Sequence, residues 1–164
     1  MKSPYTNLFL AIQERIQDEV PEIQYIDQNM GQYMNEEFRK QMLFPCLLID
    51  FPMTDFSALQ GNSQMGDATI VVTLFHDIWN NTNNLTPSDV REAGLTYLEI
   101  DQKVFVALQG WSPDFCEPLI RTHNKSHNSN DVGLMVRETQ FRTTFEDYSC
   151  ADKTPRIQLG LRTE

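Results

Sequence analysis

The amino-acid sequence predicts an α+β fold, a mixed, mainly antiparallel sheet with two principal helices packed on it as a single domain. Residues 8–20 and 86–109 carry apolar side chains at helical spacing. Residues 68–79 are β-branched and aromatic almost throughout, and residues 134–148 alternate apolar with polar side chains. Because a helix stripe and a sheet face each have to be buried, these elements are expected to pack together around one core.

The first helix is predicted from apolar side chains that recur every four residues, namely Leu8, Ile12, Ile16 and Val20. We expect Thr6 or Asn7 to cap this helix and Pro21 to end it. A weak strand is predicted at residues 23–27. Residues 28–42 lack a clear period, so they are expected to be irregular or partly helical.

A buried strand is predicted at residues 44–52, and the turn-forming composition of residues 53–67 predicts a long loop after it. We expect this loop to be mobile in the isolated subunit and to order on assembly. Residues 68–79 are predicted to form the central strand, covered on both faces. One face holds Ile70, Val72, Leu74 and Ile78, and the other holds Val71, Phe75 and Trp79.

The second helix is predicted to begin with Thr86 as its N-cap and Pro87 as its first residue, and to end at the left-handed Gly110. Its predicted apolar face consists of Val90, Ala93, Tyr97, Leu98, Val104, Phe105 and Leu108. A short strand at residues 115–122 and a polar loop at 123–133 are expected before the last strand.

Length and composition fit one domain, because 164 residues of which 40% are hydrophobic can bury a sizeable core without metal or disulfides. We assign residues 1–149 to that domain and residues 150–164 to a C-terminal tail that we expect to be flexible. Within the tail, Ile157, Leu159 and Leu161 alternate as in an edge strand.

The charge balance bears on the choice of partner. The formal net charge of -10 argues against binding to nucleic acid or to an anionic membrane surface. We expect no secretory leader, and no apolar run approaches the roughly 20 residues that cross a bilayer. The three cysteines have no metal-binding or disulfide spacing, so a reducing cytoplasm is expected.

Catalytic motifs are missing from the sequence, which predicts a protein that is not an enzyme and uses no cofactor, metal or small-molecule substrate. The two histidines His123 and His127 are expected in a solvated loop. A small metal-assisted hydrolase is the weaker alternative, and its ligands would be Asp50, Asp55, Asp67, Asp77 and His76.

Methionines and aromatic residues concentrate in the two least regular stretches, where flexible thioethers can adapt to a partner. The candidate interaction residues are Met30, Tyr33, Met34, Met53, Phe56, Leu59 and Met65. The alternative is that these side chains fill gaps over one end of the sheet. We expect Phe56 and Leu59 to lie outside the regular core and therefore to tolerate replacement by aspartate.

Three segments, together with the order of the predicted helices and strands, give the chain its family resemblance. They are TLFHDIW at residues 73–79, ALQGW at 107–111 and RETQFRTTFED at 137–147. The chain resembles the tail-terminator and tail-completion proteins of long-tailed bacteriophages over about residues 6–148. The Gln- and Met-rich residues 28–42 and the tail depart from that pattern.

This resemblance implies a homo-oligomeric, commonly hexameric, ring at the end of the tail tube. The ring stops tube polymerisation and joins the tail to the head. The implied partners are the tail tube protein and head-tail connector proteins, and the implied location is the host cytoplasm during assembly and then the virion tail. The alternative to a ring is a cytosolic adaptor or dimerisation domain.

Overall fold

The computed structural model describes residues 2–77 and 80–151, which form three helices and one five-stranded sheet. The elements, in chain order, are α1 Pro4–Glu19, β1 Tyr25–Gln28, α2 Glu36–Arg39, β2 Cys46–Ala58, β3 Gln64–His76, α3 Ser88–Leu108, β4 Ile120–Ser126 and β5 Met135–Asp147. None of the helices within these residues has both the length and the apolar composition that a membrane span requires.

The sheet has the strand order β1-β2-β3-β5-β4. The β1–β2 pair is parallel and the other three pairs are antiparallel, so the predicted mixed, mainly antiparallel α+β fold is confirmed. Strand β3 is central, as predicted. Ile78 and Trp79, which were assigned to its end, lie outside the described residues.

The main core lies between the sheet and the two long helices. α1 contributes the predicted stripe, and α3 contributes Ile100, Val104 and Leu108. The sheet side of this core comes chiefly from alternate residues of the three middle strands, namely Leu47, Ile49, Ala68, Ile70, Val72, Leu74, Phe141 and Phe145. Removing side chains of this size from water is the main favourable contribution to folding.

The helix termini differ from the prediction. Ser3 is the N-cap of α1, because its Oγ accepts a hydrogen bond from the Thr6 N–H at 3.2 Å, so the helix begins earlier than Thr6 or Asn7 would allow. Pro87 occupies the N-cap position of α3, which was expected to hold Thr86. Gly110 has a φ of 73°, the left-handed conformation that the sequence predicts after this helix.

The first turns of α3 also correct the predicted apolar face. In these turns Val90 and Ala93 are exposed, whereas Gly94 is buried. Ala107, in the last turn of the helix, is also buried. Small residues permit close approach of neighbouring backbone, and a Cβ at position 94 would lie 2.7 Å from the Thr82 side chain. Helical spacing alone does not distinguish such a small-residue contact face from the larger apolar stripe.

A smaller core covers the opposite face of the sheet near the end of β3. It is formed by Met42, Cys46, Leu48, Phe75, Leu134 and Val136. The chain between β1 and β2, predicted to be irregular or partly helical, lies over it as a 3-10 turn at Gln32–Met34 followed by the single-turn α2. Both faces of β3 are therefore covered at this end, as predicted.

The prediction of a long loop at residues 53–67 is wrong. β2 continues to Ala58 and β3 begins at Gln64, so the segment is a β-hairpin with a tight turn at Gln60–Asn62. The turn chemistry is confined to that point, where Gly61 has a φ of 71°. Most polar residues on either side are strand residues whose side chains face solvent. Their composition therefore resembles that of a loop.

The strand expected at residues 115–122 begins later, at Ile120, and extends through His123 to Ser126. Every residue of β4 is exposed, so this edge strand has no apolar alternation from which it could be predicted. Only Cys116, through an isolated bridge to Phe145, pairs within the first half of the predicted range. Of the C-terminal tail, Cys150 and Ala151 are described, and Ile157, Leu159 and Leu161 lie outside the described residues.

Candidate assembly surface

The hairpin formed by the second half of β2 and the first half of β3 carries four of the seven candidate interaction residues. A bulge in β2 sets their directions: Asp50 pairs with Val71, yet Met53 pairs with Thr69, so β2 has one more residue than β3 across this step. A bulge of this kind reverses which alternate residues face which side. Its position was not predicted from the sequence.

Met53 and Met65 lie on the hairpin face that points away from the helices. The register pairs Met53 with Thr69 and Ser57 with Met65, which places both methionines on one side of the sheet. Their side chains are 57% and 39% exposed. The pair Asp55 and Asp67 lies between them on the same face, so the methionines are two separate exposed apolar side chains that the two cores leave uncovered.

Phe56 lies on the opposite face, towards the helices, and is partly packed. Its ring meets that of the buried Phe145 edge to face, with 6.3 Å between the ring centroids. The two rings come together above Gly66, which pairs with both residues. Phe56 lies outside both cores, as expected, yet aspartate in its place would remove this aromatic contact, so we now expect Phe56→Asp to lower the stability of the hairpin.

Replacing Gly66 by valine is expected to destabilise the domain by about 1–3 kcal/mol, the range for overpacking a filled site. A Cβ at this position would lie 2.9 Å from Phe145 and 3.0 Å from Phe56. Urea unfolding followed by circular dichroism measures the effect. The matched control is Gln64→Val on the same strand, where the exposed side chain has room, and equal stability losses for the two variants would contradict the prediction.

Leu59 begins the hairpin turn and is half-buried, and its N–H donates to the Ser63 carbonyl at 2.8 Å. This contact closes the turn. Leu59 thus contributes to the tip of the hairpin and less to its exposed apolar surface.

The second candidate group belongs to the segment that covers the smaller core. Met30 and Met34 are 74% and 63% exposed, whereas Tyr33 between them packs on Phe75 with 4.5 Å between ring centroids. Tyr33 thus supports the gap-filling alternative and anchors the segment. The two methionines remain available for a partner.

Met65 and the segment with Met30 and Met34 lie at opposite ends of the sheet, and Met53, which pairs with Thr69, lies between them. Met65 is near the start of β3, and Phe75, under Tyr33, is near its end. Ten residues of extended strand separate them, which corresponds to about 33 Å. One subunit therefore presents two separate apolar surfaces with no residue in common.

Sequence reasoning missed two exposed aromatic residues beside Met65, namely Phe115 and Tyr148. With the buried Phe145 they line an open cleft of about 430 Å³ at the hairpin end of the sheet. Acidic side chains surround this cleft, namely Asp114, Glu117 and Glu146. Phe115 and Tyr148 stand outside regular strands, so no periodicity distinguishes them from loop residues.

The described residues bring no three metal-ligating side chains together, so the hydrolase alternative has no cluster to build on within residues 2–77 and 80–151. Asp67 forms an ion pair with Arg142, and Asp50 accepts a hydrogen bond from the Phe51 N–H. His123 is on β4 and not in a loop, and His127 lies 3.2 Å from the Glu138 carboxylate.

Cys46 and Cys116 are poor nucleophiles. Burial raises the pKa of the Cys46 thiol to about 12, with a smaller contribution from the Asp77 carboxylate. Burial also raises the pKa of Cys116, although a hydrogen bond with Thr143 opposes the shift. Since the thiolate is the reactive form, neither side chain is activated for covalent chemistry.

Comparison with known proteins identifies a fold and no family. No protein-family model matches the sequence, and no curated protein matches it. A chain from the virion of a native gene transfer agent particle has a similar structure, with a TM-score of 0.51 and 12% sequence identity. The match covers 85% of this chain and 94% of that one, so the two share most of their fold.

Proposed function

We propose that this chain is a structural subunit of a phage or phage-like particle that forms a ring at the end of the tail tube. In this role it terminates tube growth and joins the tail to the head, and it acts without catalysis. The resemblance in the sequence motifs and the fold shared with a chain of a gene transfer agent virion support this proposal. Assembly would take place in the host cytoplasm before incorporation into the virion.

The observation that carries the proposal is that exposed methionines occupy two separate parts of the subunit, the hairpin and the segment between β1 and β2. A two-fold dimer uses one self-complementary surface, whereas a head-to-tail ring needs two different surfaces on each subunit. Met53 and Met65 lie on one surface, and Met30 and Met34 on the other. This arrangement favours a ring over the adaptor or dimerisation alternative.

Self-association is expected to strengthen with protein concentration and with moderate salt. Each added subunit brings a formal charge of -10, so exposed charges repel one another as the ring grows. Raising the ionic strength from about 0.01 M to about 0.15 M shortens the Debye length from about 30 Å to about 8 Å and reduces this repulsion, while apolar contacts persist.

Light scattering coupled to gel filtration, run over both variables, measures the expected change, and electron microscopy shows whether rings form on isolated tail tubes. A protein that remains monomeric at every concentration, and does not bind tubes, would contradict the proposed function. A dimer that does not grow further would support the dimerisation alternative.

A further inference from the structure

The outer edge of β2 is unpaired along its second half. β1 pairs with β2 only at residues 46–49, and β2 continues to Ala58 with β3 as its sole partner among the described residues. Every second residue of such an edge directs its N–H and C=O outward. Residues 53–58, which follow Pro52 and the bulge, therefore present backbone groups that can accept another strand.

The start of this edge is protected, because Pro52 has no N–H and the bulge between Asp50 and Met53 interrupts the regular strand, whereas residues 53–58 pair regularly with β3 and leave their outer side open. Natural edge strands are guarded by proline, bulges and charges, especially lysine, by shortness or by a covering element. The β1 edge is short, and the Gln13 amide donates to its Ile26 carbonyl at 3.0 Å. Residues 50–58 contain no lysine or arginine, and their exposed side chains include Met53 and Phe56.

The opposite edge of the same sheet is β4. The Gly110 N–H donates to the Leu119 carbonyl, and the Leu119 N–H donates to the Trp111 carbonyl. The Arg121 N–H donates to the Gln109 side-chain carbonyl, so these bonds cover only the start of the outer side of β4. Within the described residues no strand pairs with the outer side of residues 122–126. The sheet thus has an open edge at each side.

The two edges carry opposite charge. Residues 50–58 contain two acidic side chains, Asp50 and Asp55, and no basic one. β4 contains two basic side chains, Arg121 and Lys125, and no acidic one. The charge of β4 therefore complements that of the acidic edge.

The strand directions fit this pairing. β2 and β5 run the same way, because each is antiparallel to β3, and β4 runs opposite to both. Copies placed side by side with their sheets in the same orientation would bring β2 and β4 together as an antiparallel pair. The regular open part of β2 and the open part of β4 differ in position along the sheet by about six residues, or about 20 Å, and closed barrels require a stagger of this kind.

We propose that residues 53–58 of one subunit pair with residues 122–126 of a second copy, with Asp55 opposite Lys125, so that the sheet continues from subunit to subunit. This inference rests on the proposed ring and adds the two sheet edges to the methionine surfaces as contacts between subunits. When each subunit pairs its β2 edge with the β4 edge of the next subunit around an axis, the contacts are head-to-tail. Two unlike edges require this symmetry.

The test is a charge swap between the two edges. Asp55→Lys and Lys125→Asp are each expected to weaken self-association by about tenfold, since each places like charges opposite one another. The double variant carries the opposite pair and is expected to recover most of the affinity. Asp18→Lys is the control, because it makes the same charge change at an exposed position of α1.

Sedimentation analysis over concentration gives the affinities, and circular dichroism checks that each variant is folded. A ring-forming wild type whose single variants behave like Asp18→Lys, or whose double variant shows no recovery, would overturn the edge pairing and leave the proposed function intact. A wild type that never associates would overturn both. If deleting residues 152–164 abolished association while the charge variants had no effect, that segment would make the contact between subunits. This result would also reject the pairing of β2 with β4.

Discussion

Replacing Phe75 by alanine is expected to lower the free energy of unfolding by about 3–5 kcal/mol, the range observed for large-to-small changes at buried aromatic positions. Phe75 is fully buried in the smaller core, where it contacts Tyr33. Truncation would leave a cavity and remove the support of the segment over this face. Both effects lower the free energy of unfolding, because the segment also covers Cys46 and Leu48.

Urea unfolding monitored by circular dichroism measures the loss. Phe38→Ala is the matched control: the same side chain is removed from the same region, but the Phe38 ring is 55% exposed, so a change within about 0.5 kcal/mol is expected. Similar stability losses for both variants would mean that the segment is not anchored through Phe75.

A conformational consequence accompanies the stability loss. With Tyr33 released, residues 29–42 should exchange their amide hydrogens faster than in the wild type, because their local stability depends on this contact. Hydrogen exchange read by mass spectrometry would show the change. Unaltered protection there would assign the anchoring to other contacts, such as the Arg39 hydrogen bond to the Tyr33 carbonyl at 2.9 Å.

Elements with one buried face were predicted from the sequence because burial produces a period. The α1 stripe and the alternation of β5 are both present in the structure. The hairpin and β4 were not predicted, since most of their side chains face solvent on both sides of the strand. They are strands because their backbone pairs with neighbouring strands in the sheet. Local composition does not predict that pairing.

The candidate residues were identified by type, but their roles depend on tertiary contacts. Tyr33 and Met34 are adjacent in the same polar segment, yet one packs on the sheet and the other faces solvent. Met53 and Phe56 face opposite sides because of the β2 bulge. Neither distinction has a sequence signal, since a bulge position and an aromatic stacking partner are set by the assembled sheet.

Converting both Met53 and Met65 to aspartate is expected to weaken self-association and tube binding by about a hundredfold, equivalent to about 2.7 kcal/mol. The two side chains lie on one exposed face of the hairpin. In an assembled ring they would be buried, and an unpaired carboxylate in an interface costs far more than the lost apolar contact. The monomer should remain folded, because neither methionine belongs to a core.

Two further variants make the interpretation specific. Leu10→Asp changes a side chain of similar exposure on α1, away from the hairpin, and should leave assembly unaffected. Phe56→Asp should destabilise the hairpin itself, because its ring packs on Phe145, and thermal unfolding separates that effect from a loss of binding. If the double methionine variant assembled and capped tubes like the wild type, the hairpin face would have no part in assembly, and the contacts would have to come from the Met30 and Met34 surface or from the sheet edges.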